Sequence, residues 1–315
     1  MPDVAIALMT RGGLSLGGVG GAACVPVPAG ERTVHSGRRP PVARGDVSAS
    51  EVAACRAVAV DAAQAAGRLL MRSLGRVRRA QVAQKGVGDY VTALDHAAER
   101  AIIRIIHRRF PSHGIRAEES GRSRRAGAYE WIIDPLDGTT NYLHQFPAFC
   151  VSIALAREGR LVLGVVFDPL RDELFHGVRG RGAWRNRRPI RMPTSRRLSE
   201  CLIATGFPFR IRGRLDVYLR SFRAIFLRCS GIRRAGSAAL DLAYAACGRV
   251  DGFWEMGLSA WDMAAGALLV EEAGGRVSDF AGGDSYLTRG SIVAATPAIH
   301  AQLVRLLKPI FPAGR

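Results

Sequence analysis

Apolar residues recur at helical spacing in several parts of the chain. Residues 51–74 show this spacing with abundant alanine, which predicts a long helix. A second helix is predicted over residues 92–110, with Thr92 as its cap and Asp95 in its first turn. The same pattern predicts four later helices, at residues 215–226, 237–247, 261–273 and 298–307.

Short runs rich in β-branched residues lie between these helices. Residues 114–118 and 130–134 are predicted strands that end at acidic residues. Residues 149–191 hold several such runs separated by turns, which predicts an antiparallel meander. Two later strands are expected at 202–205 and 292–295. Because helices and strands alternate, the chain is expected to fold as a layered α/β or α+β protein.

The first 48 residues differ from the rest of the chain. Residues 1–48 are rich in Gly, Pro and Ala and have no sustained apolar period, which predicts a disordered or loosely attached extension. A transit peptide and a misplaced start codon are both open interpretations. The remainder divides near Pro193 into an N-terminal α+β half, residues 49–192, and a C-terminal α/β half, residues 193–315. The two halves are expected to form one domain.

The composition adds a strong positive charge. The net charge is +18, and only two of the 45 basic residues are lysine, a bias typical of a GC-rich genome. The electrostatic field of such a charge favours binding of polyanions, although a solvated basic surface is the simpler interpretation. Six scattered cysteines without a CxxC pair indicate reduced thiols and a cytoplasmic protein. No apolar run reaches the about 18 residues that a membrane span needs.

The segment 130–141 carries the most chemistry. Its apolar run delivers Asp134 and Asp137, and Gly138, Thr139 and Thr140 follow directly. Carboxylate oxygens suit Mg²⁺, and a glycine followed by hydroxyls lets backbone N–H groups approach an anion. If the strand ends at Asp134 and Pro135 stiffens a turn, both carboxylates face one point. Alone, this pattern is more simply a turn whose acids cap backbone N–H groups.

Three other acidic sites have a similar character. Glu118 and Glu119 follow a predicted strand, although a surface acidic pair is the simpler interpretation. Asp262 opens an apolar helix and could be only its cap. Asp95 closes a segment that begins at Lys85 and contains two glycines, which predicts a mobile loop.

Together these sites resemble the inositol monophosphatase family of Mg²⁺-dependent, lithium-sensitive phosphatases. The resemblance covers about residues 50–310. Residues 134–147 (DPLDGTTNYLHQFP) look like the first family signature, and residues 261–275 (WDMAAGALLVEEAGG) look like the second. It implies a layered α-β-α-β-α sandwich of the inositol monophosphatase and fructose-1,6-bisphosphatase type, and a homodimer.

The resemblance also implies a cluster of two to three Mg²⁺ ions. Glu118, Asp134 and the carbonyl of Leu136 would bind the first ion, and Asp134 with Asp137 and Asp262 would bind the second. A third, looser ion would lie near Glu118.

The remaining catalytic roles follow the same resemblance. Asp95 would hydrogen-bond Thr139, and that pair would orient and deprotonate the attacking water. Glu119 would support the cluster, and Lys85 with the following loop would close over the site.

The resemblance further implies how substrate is held. The Thr139-Thr140-Asn141 ending favours the inositol branch, and Glu255 matches the residue that hydrogen-bonds inositol hydroxyls, although a surface acid at a strand end is its alternative. Arg233 aligns with a basic residue near the dimer contact and the site. The implied substrate-binding residues are Asp137, Gly138, Thr139, Gly236, Ser237, Ala238, Glu255 and Asp262.

The expected activity is therefore Mg²⁺-dependent hydrolysis of myo-inositol monophosphate and related polyol phosphates. Phosphatases for fructose 1,6-bisphosphate or a nucleotide are alternatives in the same superfamily. A binding role is a second class of function, because residues 207–234 contain eight arginines opposed only by Asp216. That segment suggests RNA or an RNA-polymerase-associated partner.

Overall fold

The computed structural model describes residues 48–77, 82–86, 89–123 and 127–311. The predicted extension therefore lies outside the described residues. The described part opens with helix α1 (Ala49–Ser73), strands β1 (Val82–Gly86) and β2 (Asp89–Thr92), and helix α2 (Ala93–Arg109). β1, which includes Lys85, pairs antiparallel with β2, and residues 87–88 of the loop expected after Lys85 lie outside the described residues.

An eight-stranded sheet forms the centre of the N-terminal half. Its strands are β3 (Gly114–Ala117), β4 (Gly121–Arg122), β5 (Tyr129–Asp137), β6 (Cys150–Arg157), β7 (Arg160–Asp168), β8 (Glu173–Val178), β9 (Gly182–Arg185) and β10 (Arg188–Ile190). Their spatial order is β10-β9-β8-β7-β6-β5-β3-β4, and only β3 and β5 run parallel. β6 to β10 are the predicted antiparallel meander. A short helix, α3 (Thr139–Leu143), connects β5 to β6.

The C-terminal half contains a five-stranded mixed sheet. Its strands are β11 (Leu202–Thr205), β12 (Gly231–Arg233), β13 (Gly252–Met256), β14 (Arg276–Ser278) and β15 (Ser291–Ala295), in the order β12-β11-β13-β15-β14. The helices are α4 (Leu215–Phe226), α5 (Ala238–Ala246), α6 (Ala260–Glu272), α7 (Tyr286–Arg289) and α8 (Pro297–Leu307). β12 and β14 are only three residues each and had no clear signal in the sequence.

The two sheets and three pairs of helices stack as five layers. α1 and α2 cover one face of the large sheet, where Trp131 and Ile133 are fully buried. Ile132 points to the opposite face, because side chains alternate along a strand, and there it joins the core that includes α5 and α6. α4 and α8 cover the outer face of the small sheet. This is the α-β-α-β-α sandwich that the family resemblance implied.

Local sequence accounts for the helix that carries Asp95. Thr92 accepts a hydrogen bond from the Asp95 backbone N–H, and the Asp95 side chain accepts from the Thr92 backbone N–H, which forms a capping box. The predicted start at Thr92 is thereby confirmed. None of the helices in the described ranges is long and apolar enough to cross a membrane.

Candidate active site

Five of the predicted acidic residues line one cavity of about 170 Å³. Residues of both halves contribute to its wall, and they include the acidic side chains Glu118, Asp134, Asp137, Glu255 and Asp262. One carboxylate oxygen from each of Asp134, Asp137 and Asp262 lies within 4.8 Å of the other two. The tightest part of the acidic cluster therefore joins strand β5 of one half to helix α6 of the other.

A bulge in β5 lets Asp134 and Asp137 face the same point. In a regular strand, residues three apart point to opposite faces of the sheet. Here the pairing with β6 shifts register between Asp134 and Asp137, where Pro135 has no N–H to donate. The prediction that the strand ends at Asp134 in a turn was wrong, because β5 continues to Asp137.

Asp137 is fixed by the start of α5. Its Oδ2 atom accepts hydrogen bonds from the Ser237 hydroxyl at 2.7 Å and from the Ala239 backbone N–H at 2.7 Å. Ser237 is buried and is not among the lining residues, so its hydroxyl supports Asp137 where the resemblance implied contact with substrate. Gly236 and Ala238, on either side of it, do line the cavity.

One oxygen of Asp262 both caps helix α6 and binds Arg210. Asp262 is the third residue of α6, and its Oδ2 atom accepts from the Ser259 backbone N–H at 2.6 Å in a capping box. The same Oδ2 accepts from Nη1 of Arg210 at 2.8 Å. Nη2 of Arg210 lies 3.6 Å from Oε1 of Glu118. The guanidinium thus bridges carboxylates of the two halves.

Burial and repulsion from neighbouring carboxylates make ionisation of Asp134 and Asp137 unfavourable. Burial raises the pKa of Asp134 well above its usual range, and the charges of Glu118, Asp137 and Asp262 raise it further. Burial and the Asp262 charge raise the pKa of Asp137 to about 7. Bound cations would relieve both effects. Hard oxygen donors in a buried, electron-rich cluster that already attracts a guanidinium fit divalent cations well.

Asp95 and Thr139 meet beside this cluster. The Thr139 hydroxyl lies 3.2 Å from Oδ1 of Asp95 and 3.1 Å from the carbonyl oxygen of Leu136. The hydroxyl has one proton, so it donates mainly to one of these acceptors at a time, and its lone pairs can accept a hydrogen bond from a third group. Burial raises the pKa of Asp95, while hydrogen bonds from Thr92 and Thr139 oppose that shift.

Glu255 is buried in strand β13, so the surface-acid interpretation was wrong. It lines the cavity, and burial raises its pKa well above the usual range, with the charge of Asp241 as the next cause. Gly206 makes room for it, because a Cβ atom there would lie 2.1 Å from the Glu255 carboxyl carbon. Sequence reasoning did not single out Gly206, since only the fold brings it to Glu255.

Three other predicted residues have distinct positions. Glu119 points toward α2, where Oε2 lies 4.0 Å from Nε2 of His96, and it is not a lining residue. Gly138 has a left-handed φ of 95° and lines the cavity. Lys85 lies in β1, but its side chain is outside the described residues.

The basic residue that the resemblance placed at Arg233 has an adjacent arginine, Arg234. Arg234 lines the cavity and packs over the ring of Phe207, whereas Arg233 does not line the cavity.

Sequence reasoning missed two residues that hold the site together. The Asn141 side chain donates to the carbonyl oxygens of Ala148 at 2.6 Å and Ala235 at 2.8 Å, which ties the two halves together. Glu99 accepts from the backbone N–H groups of Glu119 and Ser120 and so shapes the turn after β3. Both contacts span more than 20 residues or join separate elements, so no local signal announces them.

Comparison with known proteins agrees with this geometry. The family model for the inositol monophosphatase family matches residues 51–310. The chain belongs to that family. Members of this family are metal-dependent phosphatases, and the present chain has the acidic cluster that such chemistry requires.

Individual relatives of this family member carry two kinds of name. The chain is 48% identical over 260 residues to "Nus factor SuhB" of Pseudomonas aeruginosa, covering 81% of this chain and 96% of the relative. It is 48% identical to "Inositol-1-monophosphatase" of Mesorhizobium japonicum, covering 80% and 95% respectively. The crystal structure of the extragenic suppressor protein suhB from Bartonella henselae is 46% identical and superposes with a TM-score of 0.78, covering 81% of this chain and 98% of the other.

Proposed function

We propose that the protein is a Mg²⁺-dependent phosphomonoesterase that hydrolyses myo-inositol monophosphate and related polyol phosphates. The observation that supports this most directly is the cluster of Asp134, Asp137 and Asp262, whose carboxylate oxygens converge within 4.8 Å in one cavity. The Asp95–Thr139 pair and Glu255 lie at the same cavity. In this proposal, these residues would supply metal ligands, a proton acceptor and a polyol ligand.

The three aspartates would hold the ions, with Glu118 and the carbonyl oxygen of Leu136 as further ligands. Protein hydrogen bonds orient two of these ligands: the Leu136 N–H donates to Oδ1 of Asp134, and the Ser237 hydroxyl donates to Oδ2 of Asp137. Mg²⁺ in this position would neutralise the phosphate dianion, lower the pKa of water and stabilise the leaving alkoxide.

The chain's own groups would carry the proton and orient the substrate. The attacking water would donate to the Thr139 hydroxyl, and the proton of that hydroxyl would pass toward Oδ1 of Asp95, 3.2 Å away. Backbone N–H groups of Gly138 and Thr139 would hold phosphate oxygens at the start of α3. Glu255 would accept hydrogen bonds from substrate hydroxyls, a task suited to a carboxylate with two oxygens.

The decisive experiment combines a substrate panel with one charge-removing variant. Purified protein should release phosphate from inositol 1-phosphate only with Mg²⁺ present, and Asp134→Asn should lower kcat/KM by about 1,000-fold or more, since nucleophile activation and charge neutralisation are lost together. Asp61→Asn, an exposed change on α1, is the matched control and should keep wild-type activity. Full activity in Asp134→Asn would refute the metal assignment.

The same panel tests the alternative phosphatases. Fructose 1,6-bisphosphate and nucleotide monophosphates share the phosphate ester, so the metal cluster alone does not separate them from inositol phosphate. The polyol ligand Glu255 favours the inositol class. A higher kcat/KM for either alternative would overturn the substrate while leaving the phosphatase assignment intact.

Association with the transcription machinery is a second candidate function. It is favoured by the relatives named "Nus factor SuhB" and by the surface of α4 and its flanking turns. Seven of the eight arginines in residues 207–234 are exposed: Arg212, Arg214, Arg220, Arg223, Arg228, Arg233 and Arg234. Exposed apolar side chains, Leu219 and Phe226 among them, lie between these arginines.

RNA binding through this surface would depend steeply on salt, because phosphate contacts release counterions. Fluorescence anisotropy with a labelled RNA oligonucleotide should show affinity falling between low and physiological salt. The Arg220→Glu, Arg223→Glu double variant should weaken binding at least about tenfold while phosphatase activity is retained. Binding that ignores salt, or survives the double variant, would refute an electrostatic RNA surface here.

A further inference from the structure

Arg210 is the one arginine of residues 207–234 that is not exposed, and its guanidinium contacts two carboxylates of the acidic cavity. Its side chain is 25% exposed, and its guanidinium lies 2.8 Å from Oδ2 of Asp262 and 3.6 Å from Oε1 of Glu118. It also packs over the ring of Phe209, with 5.1 Å between the guanidinium carbon and the ring centroid. A cationic group of the chain itself therefore lies between two of the carboxylates that would hold metal.

The guanidinium and a divalent cation would both bind the Asp262 carboxylate. Oδ2 of Asp262 already accepts from the Ser259 backbone N–H as part of the α6 cap, so Arg210 is the partner that can leave without opening the helix end. Two positive charges at one carboxylate also repel each other strongly inside a buried site. Metal binding at the Asp262 carboxylate and the Arg210 contact therefore oppose each other.

We propose that Arg210 is a built-in competitor of the divalent cation, and that metal binding releases it together with the 3₁₀ segment Phe209–Arg214. This inference rests on the proposed metal site. In the metal-free protein the guanidinium offsets the repulsion between Glu118 and Asp262. When a cation occupies the cluster, the segment loses a charged anchor on both halves and becomes more mobile over the cavity.

The segment is suited to such release. Ile211 interrupts its helical geometry with φ −131° and ψ 55°, and Ile211 and Arg214 are exposed. Gly206 lies three residues before this segment and directly follows β11, where the chain leaves the sheet. The contact of Arg210 with Asp262 is a charge-assisted hydrogen bond, which is among the stronger single contacts that such a segment can make.

The two interpretations of Arg210 predict opposite changes in metal affinity when the arginine is removed. A competitor lowers the apparent affinity, because only the fraction of molecules with Arg210 displaced can bind the cation. A merely supporting arginine holds the carboxylates in place, so its removal would weaken metal binding. Isothermal titration of the substrate-free protein with Mg²⁺ measures this difference without any turnover.

We expect Arg210→Met to bind Mg²⁺ about tenfold more tightly than the wild type, which corresponds to a competent fraction of about one tenth. Arg210→Lys keeps the positive charge but not the planar guanidinium with its paired N–H donors, so its Mg²⁺ affinity should lie between those of the wild type and Arg210→Met. Arg214→Met removes an arginine from the same segment without a contact to the carboxylates, and should change the affinity less than about twofold. Thermal unfolding would establish that each variant is folded.

Hydrogen exchange supplies the structural readout. Saturating Mg²⁺ should speed exchange of amides in residues 207–214 of the wild type and leave the already released segment of Arg210→Met unchanged. Equal or weaker Mg²⁺ binding by Arg210→Met, or unaltered exchange in the wild-type segment, would overturn the competition. A wild-type protein that binds no Mg²⁺ would instead refute the proposed metal site on which the inference stands.

Discussion

At the scale of single residues, protein hydrogen bonds hold one oxygen of each of four carboxylates in the candidate site: Asp95, Asp134, Asp137 and Asp262. Oδ2 of Asp137 accepts from Ser237 and Ala239, and Oδ2 of Asp95 accepts from Thr92. The orientation of each carboxylate is therefore set before any ligand arrives. Preorganised ligands lose little conformational entropy on binding, which favours both affinity and rate.

Glu255 gives the sharpest prediction at this scale. Replacing it with Gln keeps the shape but removes the charge and half of the acceptor capacity, so recognition of polyol hydroxyls should suffer. We expect kcat/KM for inositol 1-phosphate to fall about 10- to 100-fold, equal to the loss of one or two hydrogen bonds to a charged group. Hydrolysis of p-nitrophenyl phosphate, which has no hydroxyls to bind, is the control and should change little. Equal losses for both substrates would mean that Glu255 acts on the phosphate chemistry.

At the scale of elements, the bulge of β5 and the left-handed Gly138 position the segment that we propose binds phosphate. The bulge brings Asp134 and Asp137 to one side, and Gly138 then turns the chain into α3. A Cβ atom on Gly138 would lie 2.9 Å from the carbonyl oxygen of Ala148, closer than such atoms approach. The turn is therefore fixed both by its backbone angle and by a close neighbour.

Gly138→Ala should accordingly cost more stability than the backbone angle alone explains. Gly159 has a similar φ of 79° and nothing within 4 Å of its Cβ position, so Gly159→Ala is the matched control. We expect about 1 kcal/mol of destabilisation for the control and about 2–4 kcal/mol for Gly138→Ala, measured by urea unfolding. Equal losses would indicate that the contact with Ala148 relaxes freely.

At the scale of the whole molecule, the acidic cluster joins the two halves of the sandwich. Asp134 and Asp137 belong to the eight-stranded sheet, and Asp262 begins a helix that packs between the sheets. Their repulsion therefore acts against the assembly of the layers, except where Arg210 or a bound cation offsets it. Stability of the metal-free protein should depend on pH for this reason.

The direction of this pH dependence follows from the raised pKa of Asp137. Between its unfolded value of 3.8 and its folded value of about 7, the folded protein keeps a proton that the unfolded chain loses. The free energy of unfolding of the metal-free protein should therefore fall as pH rises through this window, by at most about 1.4 kcal/mol per pH unit for one group.

Asp137→Asn should flatten that dependence, because the amide does not titrate and can still accept from Ser237. Urea unfolding in EDTA at several pH values between 4 and 7.5 measures the difference, with exposed Asp61→Asn as the control that keeps the wild-type slope. A variant with the same slope as the wild type would show that Asp137 is already ionised in the folded protein.

The sequence by itself determined much of this protein, because the relevant signals are local. Helical spacing predicted α1, α2 and α4 to within a few residues, and Thr92 was correctly predicted to cap the start of α2. Asp134 and Asp137 belong to one continuous signature, so their proximity needed no knowledge of the fold. Family membership followed from two such signatures in order.

Only the tertiary structure decided which groups meet across the two halves. The pairing of Arg210 with Asp262, the support of Asp137 by Ser237 and the packing of Gly206 against Glu255 join residues about 50 to 100 positions apart. A pattern along the chain carries information about neighbours within a few residues. Contacts between layers depend on how the sheets and helices stack, so they emerge only when the whole sandwich is assembled.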